Sequence, residues 1–147
     1  MPLVKRFEDV HAWQEARKLT KSVYALTQEN EFRRDYGLID QIRRASVSIM
    51  NNVAEGFESG SPGEFIKFLG YAKRSGSEVQ SCLYVALDQR YCSQGTFQQV
   101  YAEVERTRGL VTGFIRYLRT SRLDGRLGSG TQARRHAGTP AHRHTGT

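Results

Sequence analysis

The residues able to do chemistry in this sequence are few and scattered. Glu8 and His11 form the one Glu-x-x-His pair, a motif that helical bundles use twice, with two further glutamates, to hold two metal ions. One pair near the start of the sequence cannot build such a centre. Cys82 and Cys92 have no ligand-spaced partner, which favours reduced thiols over a disulfide or a zinc site. We therefore expect a noncatalytic protein that needs no metal or other cofactor.

Cations that could face an anionic ligand are more prominent. The net charge is +7. Residues 1–120 contain 17 Lys/Arg and 14 Asp/Glu, and residues 121–147 contain 5 Lys/Arg and 1 Asp/Glu. A basic balance favours partners such as nucleic acid, bound more weakly as salt rises. The candidate phosphate contacts are Arg33, Arg34, Arg43, Lys73, Arg74, Arg106 and Arg108.

An ordinary solvated surface is the alternative reading of these cations. Helical spacing would allow several of them to pair with a nearby carboxylate. These pairs are Arg74–Glu78, Arg43 or Arg44 with Asp40, and Arg106–Glu103. The sequence also shows no aromatic residues interleaved with the basic ones, as single-strand binders have. Sequence-specific recognition is therefore not expected.

Four helical patterns must position these side chains, each with apolar residues at intervals of three and four. The spacing predicts helices from about Asp9 to Glu29, from Tyr36 or Leu38 to Gly56 or Phe57, from Ser61 to about Leu87, and from Thr96 to about Arg119. The third has the clearest start, because Ser61 is a good N-cap, proline follows it, and Glu64 completes a capping box. Short connections between these helices predict an all-α fold, an antiparallel up-down-up-down four-helix bundle over residues 1–120.

The composition changes after Arg119. From Ser121 onward large aliphatic residues are rare among Gly, Thr and Arg, so we expect residues 121–147 to form a disordered basic tail. Histidines in this tail are interpreted as solvated side chains rather than metal ligands. They are His136, His142 and His144.

The location of the protein is suggested by what the sequence lacks. No apolar run is long enough for a membrane span, and the N-terminal residues do not resemble a secretory leader. A cytoplasmic protein with no membrane partner is expected.

The second predicted helix carries an additional apolar stripe beside its core line. The stripe runs along Arg43, Val47, Met50, Ala54 and Phe57, and its candidate interface residues are Val47, Met50 and Phe57. Because a helix in a monomeric bundle needs only one buried flank, this stripe predicts an interface between copies of the chain. The alternative is that residues 1–8 or the tail fold back over it.

A polar stripe on the second helix faces a similar one on the third. We expect a buried hydrogen-bonded network there, in which Arg44 meets Glu78 or Glu55 while Ser48 and Asn52 satisfy one another. A catalytic pocket is the alternative, but the stripe offers no histidine, activated cysteine or close carboxylate pair. The network residues are Arg44, Ser48, Asn52, Glu55, Ser75 and Glu78.

The same two helices resemble a known family. The resemblance rests on Gln41-Ile42-Arg43-Arg44-Ala45, Ser48-Ile49, Asn52-Val53-Ala54-Glu55-Gly56, Phe65, Leu69, Ala72, Ser75 and Glu78, with Trp13 and Tyr36-Gly37-Leu38. Over about residues 7–119 the chain is similar to the small four-helix-bundle proteins encoded in intervening sequences of bacterial 23S ribosomal RNA. The resemblance implies a ring-like homopentamer. Two features depart from the family pattern: Arg74 stands where glycine is usual, and the tail has no counterpart.

A more distant similarity is to the accessory variability determinant of diversity-generating retroelements, a basic bundle that binds nucleic acid and a reverse transcriptase. These resemblances and the charge together predict an oligomeric accessory protein that binds RNA or RNA/DNA without sequence specificity. The alternative is a structural or protein-interaction scaffold, with a reverse transcriptase as one such partner and no nucleic-acid binding of its own.

Overall fold

Four α-helices dominate the computed structural model, which describes residues 4–128. The helices are α1 (His11–Thr27), α2 (Tyr36–Glu58), α3 (Pro62–Asp88) and α4 (Gln94–Gly128), and two short 3₁₀ helices lie at Phe7–Asp9 and Asn30–Arg34. Each α-helix contacts the next along the chain, and α1 also contacts α4. The described residues form no strand. The predicted all-α four-helix bundle is therefore confirmed.

The core follows from the apolar spacing of the four helices. Leu19, Ile42, Leu69 and Leu83 are fully buried along its centre. Such side chains recur every three or four residues, so each helix presents one continuous apolar face to its neighbours. Burial of these faces is the main stabilising contribution to the bundle.

One core side chain comes from a connection rather than from an α-helix. Phe32, in the second 3₁₀ helix, is 0% exposed and stacks on Tyr91 with 5.0 Å between ring centroids. The Tyr91 hydroxyl donates a hydrogen bond to Asp35 Oδ2 at 2.8 Å. This bond, together with burial and the charges of Asp35 and Glu31, raises the pKa of Tyr91. Phe32 and Tyr91 thus join the α1–α2 connection to the α3–α4 connection.

Helix starts agree with the sequence for α2, which begins at Tyr36, and for α3, and they differ for α1 and α4. Ser61 caps α3 as predicted, its Oγ accepting the backbone N–H of Glu64 at 3.2 Å. The predicted cap of α1 is wrong, since Asp9 lies in a 3₁₀ helix and α1 follows Val10 without a capping side chain. α4 begins at Gln94 rather than Thr96, because Ser93 Oγ accepts the Thr96 N–H at 3.1 Å.

The last helix is longer than predicted. α4 does not end near Arg119 but continues to Gly128, so the boundary expected at residue 120 falls inside a helix. The local reason is that residues 116–127 contain no proline and are rich in Arg and Leu, both good helix formers. The rest of the predicted tail, residues 129–147 with its three histidines, lies outside the described residues.

α2 and α3 approach each other closely at Gly56. A Cβ atom at this position would lie 2.6 Å from Phe65 Cδ1 and 3.0 Å from Phe68 Cβ. Both distances are shorter than van der Waals contact, so only glycine fits the α2–α3 seam here. The glycine that ends the Asn52–Gly56 motif therefore has a packing role.

Candidate nucleic-acid interface

Two stripes of side chains face each other along α3 and α4, and we call this region the α3–α4 seam. Members of each stripe recur at intervals of three or four residues and so share one face of their helix. The α3 stripe is Lys73, Gly76, Gln80 and Tyr84, and the α4 stripe is Phe97, Tyr101, Glu105 and Arg108. Because the helices are antiparallel, cations gather at one end of the seam and aromatic rings at the other.

The cationic end of the seam is built around Gly76, a residue without a side chain. Arg108 lies across Gly76, where a Cβ atom would stand 2.8 Å from Arg108 Cγ and 2.9 Å from Cδ. Its Nε donates a hydrogen bond to the backbone carbonyl of Lys73 at 3.3 Å. Gly76 thus provides close approach, but to an arginine side chain rather than to a helix backbone.

Arg74 extends this cationic end on the outer side of α3. It is exposed, and its guanidinium lies over the Tyr71 ring, 5.2 Å from the centroid. The arginine that departs from the family pattern therefore leaves the α2–α3 contact undisturbed. Among the described residues, no carboxylate lies within 4.0 Å of the charged groups of Lys73, Arg74 or Arg108. We call these three residues the cationic cluster.

Two of the other candidate cations form ion pairs. Arg106 Nε is 3.1 Å from Glu15 Oε2 on α1, and it does not pair with Glu103 as the helical spacing suggested. Arg34 lies 3.9 Å from Glu31. Both cations already have an acidic neighbour, so a phosphate would have to compete with it.

The remaining two candidates also lie apart from the cationic cluster. Arg43 donates to Thr27 Oγ1 at 2.8 Å, and its guanidinium is stacked 4.2 Å from the centre of the Tyr24 ring. Arg33 is exposed in the second 3₁₀ helix. Of the seven predicted contacts, the structure thus brings Lys73 and Arg108 into contact across the seam, and Arg74 follows Lys73 on the outer side of α3.

Three aromatic rings occupy the other end of the seam. Tyr84 is 50% exposed, and its ring centroid lies 4.9 Å from that of Phe97 and 5.8 Å from that of Tyr101. Phe97 is buried beneath the two tyrosines. Partial burial raises the pKa of Tyr101, as do Tyr84 and Glu105, whereas Arg108 lowers it. The sequence analysis missed this group because its rings come from two helices. The Phe97–Tyr101 spacing of four was its only local signal.

A hydrogen-bonded pair, neutral Gln80 and acidic Glu105, separates the two ends of the seam. Gln80 is buried, and its Nε2 donates to Glu105 Oε2 at 2.8 Å. Glu105 itself is exposed. This carboxylate is the acidic side chain within the two stripes, so an anionic ligand along the seam would avoid its immediate surroundings.

The polar network at the α2–α3 seam is smaller than predicted. Ser48 Oγ and Ser75 Oγ share a hydrogen bond at 2.8 Å, and Asn52 Nδ2 donates to Ser48 Oγ at 3.0 Å. Arg44 binds Asp40 at 2.9 Å instead of Glu78 or Glu55. An exposed i,i+4 pair forms within one helix without crossing the seam, so the arginine stays outside the network.

Glu55 and Glu78, the two acidic residues predicted for the network, do not join it. Burial raises the pKa of Glu78, an effect that the charge of Arg44 opposes. Glu55 is exposed on α2. The network therefore consists of two serines and one asparagine, which set the register of α2 against α3 and offer no acid–base pair.

The second apolar stripe of α2 is partly used within one chain. Met50 and Phe57 are half-buried and pack against the core. The 3₁₀ helix Phe7–Asp9 also contacts α2. Val47 is half-buried as well.

The thiols show no features of nucleophiles. Cys82 is buried, and burial, reinforced by the charge of Glu78, raises its pKa to about 11. Burial also raises the pKa of Cys92. A reactive thiol requires the opposite shift.

The described residues contain no cluster of three or more His, Cys, Asp and Glu side chains placed to hold a metal ion. None of the helices in the described part has the length and apolar character needed to cross a membrane.

The fold and the α3–α4 seam define a class, the small four-helix bundles with a cationic surface cluster. Residues 8–113 match the sequence profile of the 23S rRNA-intervening sequence proteins, and the chain belongs to that family.

A solved structure shows the same fold. It is a protein of unknown function from the S23 ribosomal protein family of Bacteroides thetaiotaomicron, with a TM-score of 0.65 and 18% sequence identity. The match covers 71% of this chain and 97% of that chain. No curated protein matches this sequence.

Proposed function

We propose that this bundle is a noncatalytic accessory protein that binds nucleic acid through the phosphate backbone, without sequence specificity. The observation that carries the proposal is the cationic cluster of Lys73, Arg74 and Arg108, which has no carboxylate partner among the described residues. A phosphate that binds these cations does not have to displace a carboxylate, and its binding releases counterions.

The cluster is also suited to phosphates by its construction. Arg108 is held against Gly76 and the Lys73 carbonyl, so part of its side-chain entropy is already lost before a ligand binds. Arginine offers several donors in a planar fork that matches phosphate oxygens. The family description refers to 23S rRNA intervening sequences, which makes structured RNA the first ligand to test.

Removing the cationic cluster tests this function. In the full chain, we expect Lys73→Gln/Arg74→Gln/Arg108→Gln to weaken binding of structured RNA by about 10-fold or more at low salt. The slope of log K against log salt should become shallower by about two to three, because three phosphate contacts are lost. Fluorescence anisotropy over a salt series measures both quantities.

The matched control removes the same charges where they are already paired. Lys18, Arg44 and Lys67 are exposed cations beside Glu15, Asp40 and Glu64, and their Gln variants together also lower the net charge by three. We expect this control to lose much less affinity. Equal loss in both triple variants would contradict a defined site and leave only net charge.

Two further results would reject the site in favour of another reading. Loss of binding in Arg134→Gln/Arg135→Gln/Arg143→Gln alone would assign the contact to residues 129–147. No binding by the wild type even at low salt would favour the protein-interaction scaffold, with a partner such as a reverse transcriptase.

We also propose that the chain forms a homo-oligomer, with five copies as the expected number. Support comes from the exposed apolar side chains of Val85 on α3 and Leu110 on α4 and from the half-buried Val47 on α2. Light scattering should give a mass of five chains of 16.7 kDa each. Val47→Glu should reduce this mass while the circular dichroism of the helices is retained. Ala25→Glu, at an exposed position of α1, is the control, and a single-chain mass for the wild type would contradict the proposal.

A further inference from the structure

The aromatic end of the α3–α4 seam is continuous with its cationic end. Tyr101 and Arg108 lie seven residues apart on α4, which places them on the same face about 10 Å from each other. On α3, Lys73 and Tyr84 share one face in the same way. One strip of surface therefore presents aromatic rings at one end and positive charges at the other.

We propose that this strip binds single-stranded nucleic acid, with unpaired bases stacked on Tyr84 and Tyr101 and the adjoining phosphates held by Lys73 and Arg108. The inference rests on the proposed function and names its ligand class. Proteins that bind single strands without sequence preference combine the same two elements, aromatic platforms and a positive groove.

The geometry fits an unpaired strand better than a duplex. Tyr84 is half-exposed, whereas Phe97 lies beneath it and supports the ring from the core side. A base can stack only if its face is free, and in a duplex both faces are covered by neighbouring pairs. The distance from Tyr101 to Arg108 corresponds to about three nucleotides at a stacked rise of 3.4 Å.

Charge along the strip agrees with this arrangement. Glu105 lies between the rings and Arg108 and accepts a hydrogen bond from Gln80, so the middle of the strip disfavours a phosphate. A neutral base can occupy that position, with its phosphates displaced toward the cations. Glu105→Gln should therefore strengthen single-strand binding by about twofold to fivefold at low salt.

The decisive comparison uses strands of about 12 nucleotides, within the size of known single-strand sites. Fluorescein-labelled single-stranded RNA, single-stranded DNA and duplexes of the same sequence are titrated with the full chain. Tyr84→Leu/Tyr101→Leu should weaken single-strand binding by about 10-fold and leave duplex binding within about twofold of the wild type. Tyr84→Phe/Tyr101→Phe, which keeps both rings, should bind like the wild type.

The control is Tyr117→Leu, which should leave binding unchanged. Tyr117 is 47% exposed and has its own ring neighbour, Phe114, at 5.8 Å, so it matches Tyr84 in exposure and contacts. Tyr84→Leu alone is the second variant, for use if Tyr101→Leu destabilises the bundle. Because Tyr84 is half-exposed, its replacement should leave the bundle folded. A 2-aminopurine in the strand reports stacking directly, and its fluorescence should be quenched by the wild type and not by Tyr84→Leu.

The outcomes separate this inference from the proposed function. Equal loss of single-strand and duplex binding in the leucine variants would overturn the stacking role, as would no loss in either. Binding that depends on the cationic cluster alone would retain the proposed function without this inference. If light scattering shows that the leucine variants dissociate an oligomer while single-strand affinity is unchanged, the rings contact a second copy and the inference is wrong.

Discussion

Replacing Phe32 with alanine is expected to lower the free energy of unfolding by about 4 kcal/mol, the range found for large aromatic side chains removed from cores. Phe32 is among the largest of the fully buried side chains, although it lies in a connection. Its ring stacks on Tyr91, and the cavity left by alanine would separate the two connections at this end of the bundle. The large effect is expected because the ring is fully buried and its removal leaves a cavity in the core.

Urea denaturation followed by circular dichroism measures this loss. Tyr36→Ala is the control, since Tyr36 is an aromatic residue only four positions away but 79% exposed. We expect the control to change the free energy by less than about 0.5 kcal/mol. A loss below about 1 kcal/mol for Phe32→Ala would show that the connection does not contribute to the core.

Substitution of Gly56 by alanine is expected to destabilise the bundle by about 2 kcal/mol, despite alanine being the better helix former by about 1 kcal/mol. The added Cβ atom would lie 2.6 Å from the Phe65 ring and 3.0 Å from Phe68 Cβ. The second of these atoms is attached directly to the α3 backbone, so the overlap is relieved only by moving α3 away from α2. Overpacking of this kind typically costs 1–3 kcal/mol.

Gly70→Ala provides the matched control within the same helix pair. No atom lies within 4 Å of a Cβ atom placed at Gly70, so helix propensity alone should act and stabilise the protein by up to about 1 kcal/mol. The two substitutions are chemically identical and are expected to have opposite signs. Equal effects in thermal and urea unfolding would contradict the close approach of α2 and α3.

Local physics explains which parts of the fold could be predicted from the sequence. The three- and four-residue spacing of apolar side chains identified the four helices, because an α-helix must turn one face toward the core. Ser61 and the proline after it predicted the start of α3, because a cap is satisfied within one turn of chain. The end of α4 was missed because the predicted boundary relied on the loss of apolar residues, whereas helix propensity continued to Gly128.

The candidate site was predictable only as a set of cations. Arg106 was a candidate phosphate contact, with pairing to Glu103 as the alternative, but its partner is Glu15 on α1. Arg43 was expected at the surface, yet it is held by Thr27 and Tyr24. Which arginines remain without a carboxylate depends on neighbours that come from other helices.

The sequence by itself determined that this chain is a basic four-helix bundle of a recognisable family, because helix periodicity, caps and motif residues are local properties. Tertiary structure alone decided that Arg108 lies over Gly76, that Tyr84, Phe97 and Tyr101 meet, and that Phe32 enters the core. The physical reason is that these contacts join residues from different elements. Their formation depends on how the helices pack against one another, and no local pattern in the chain encodes that packing.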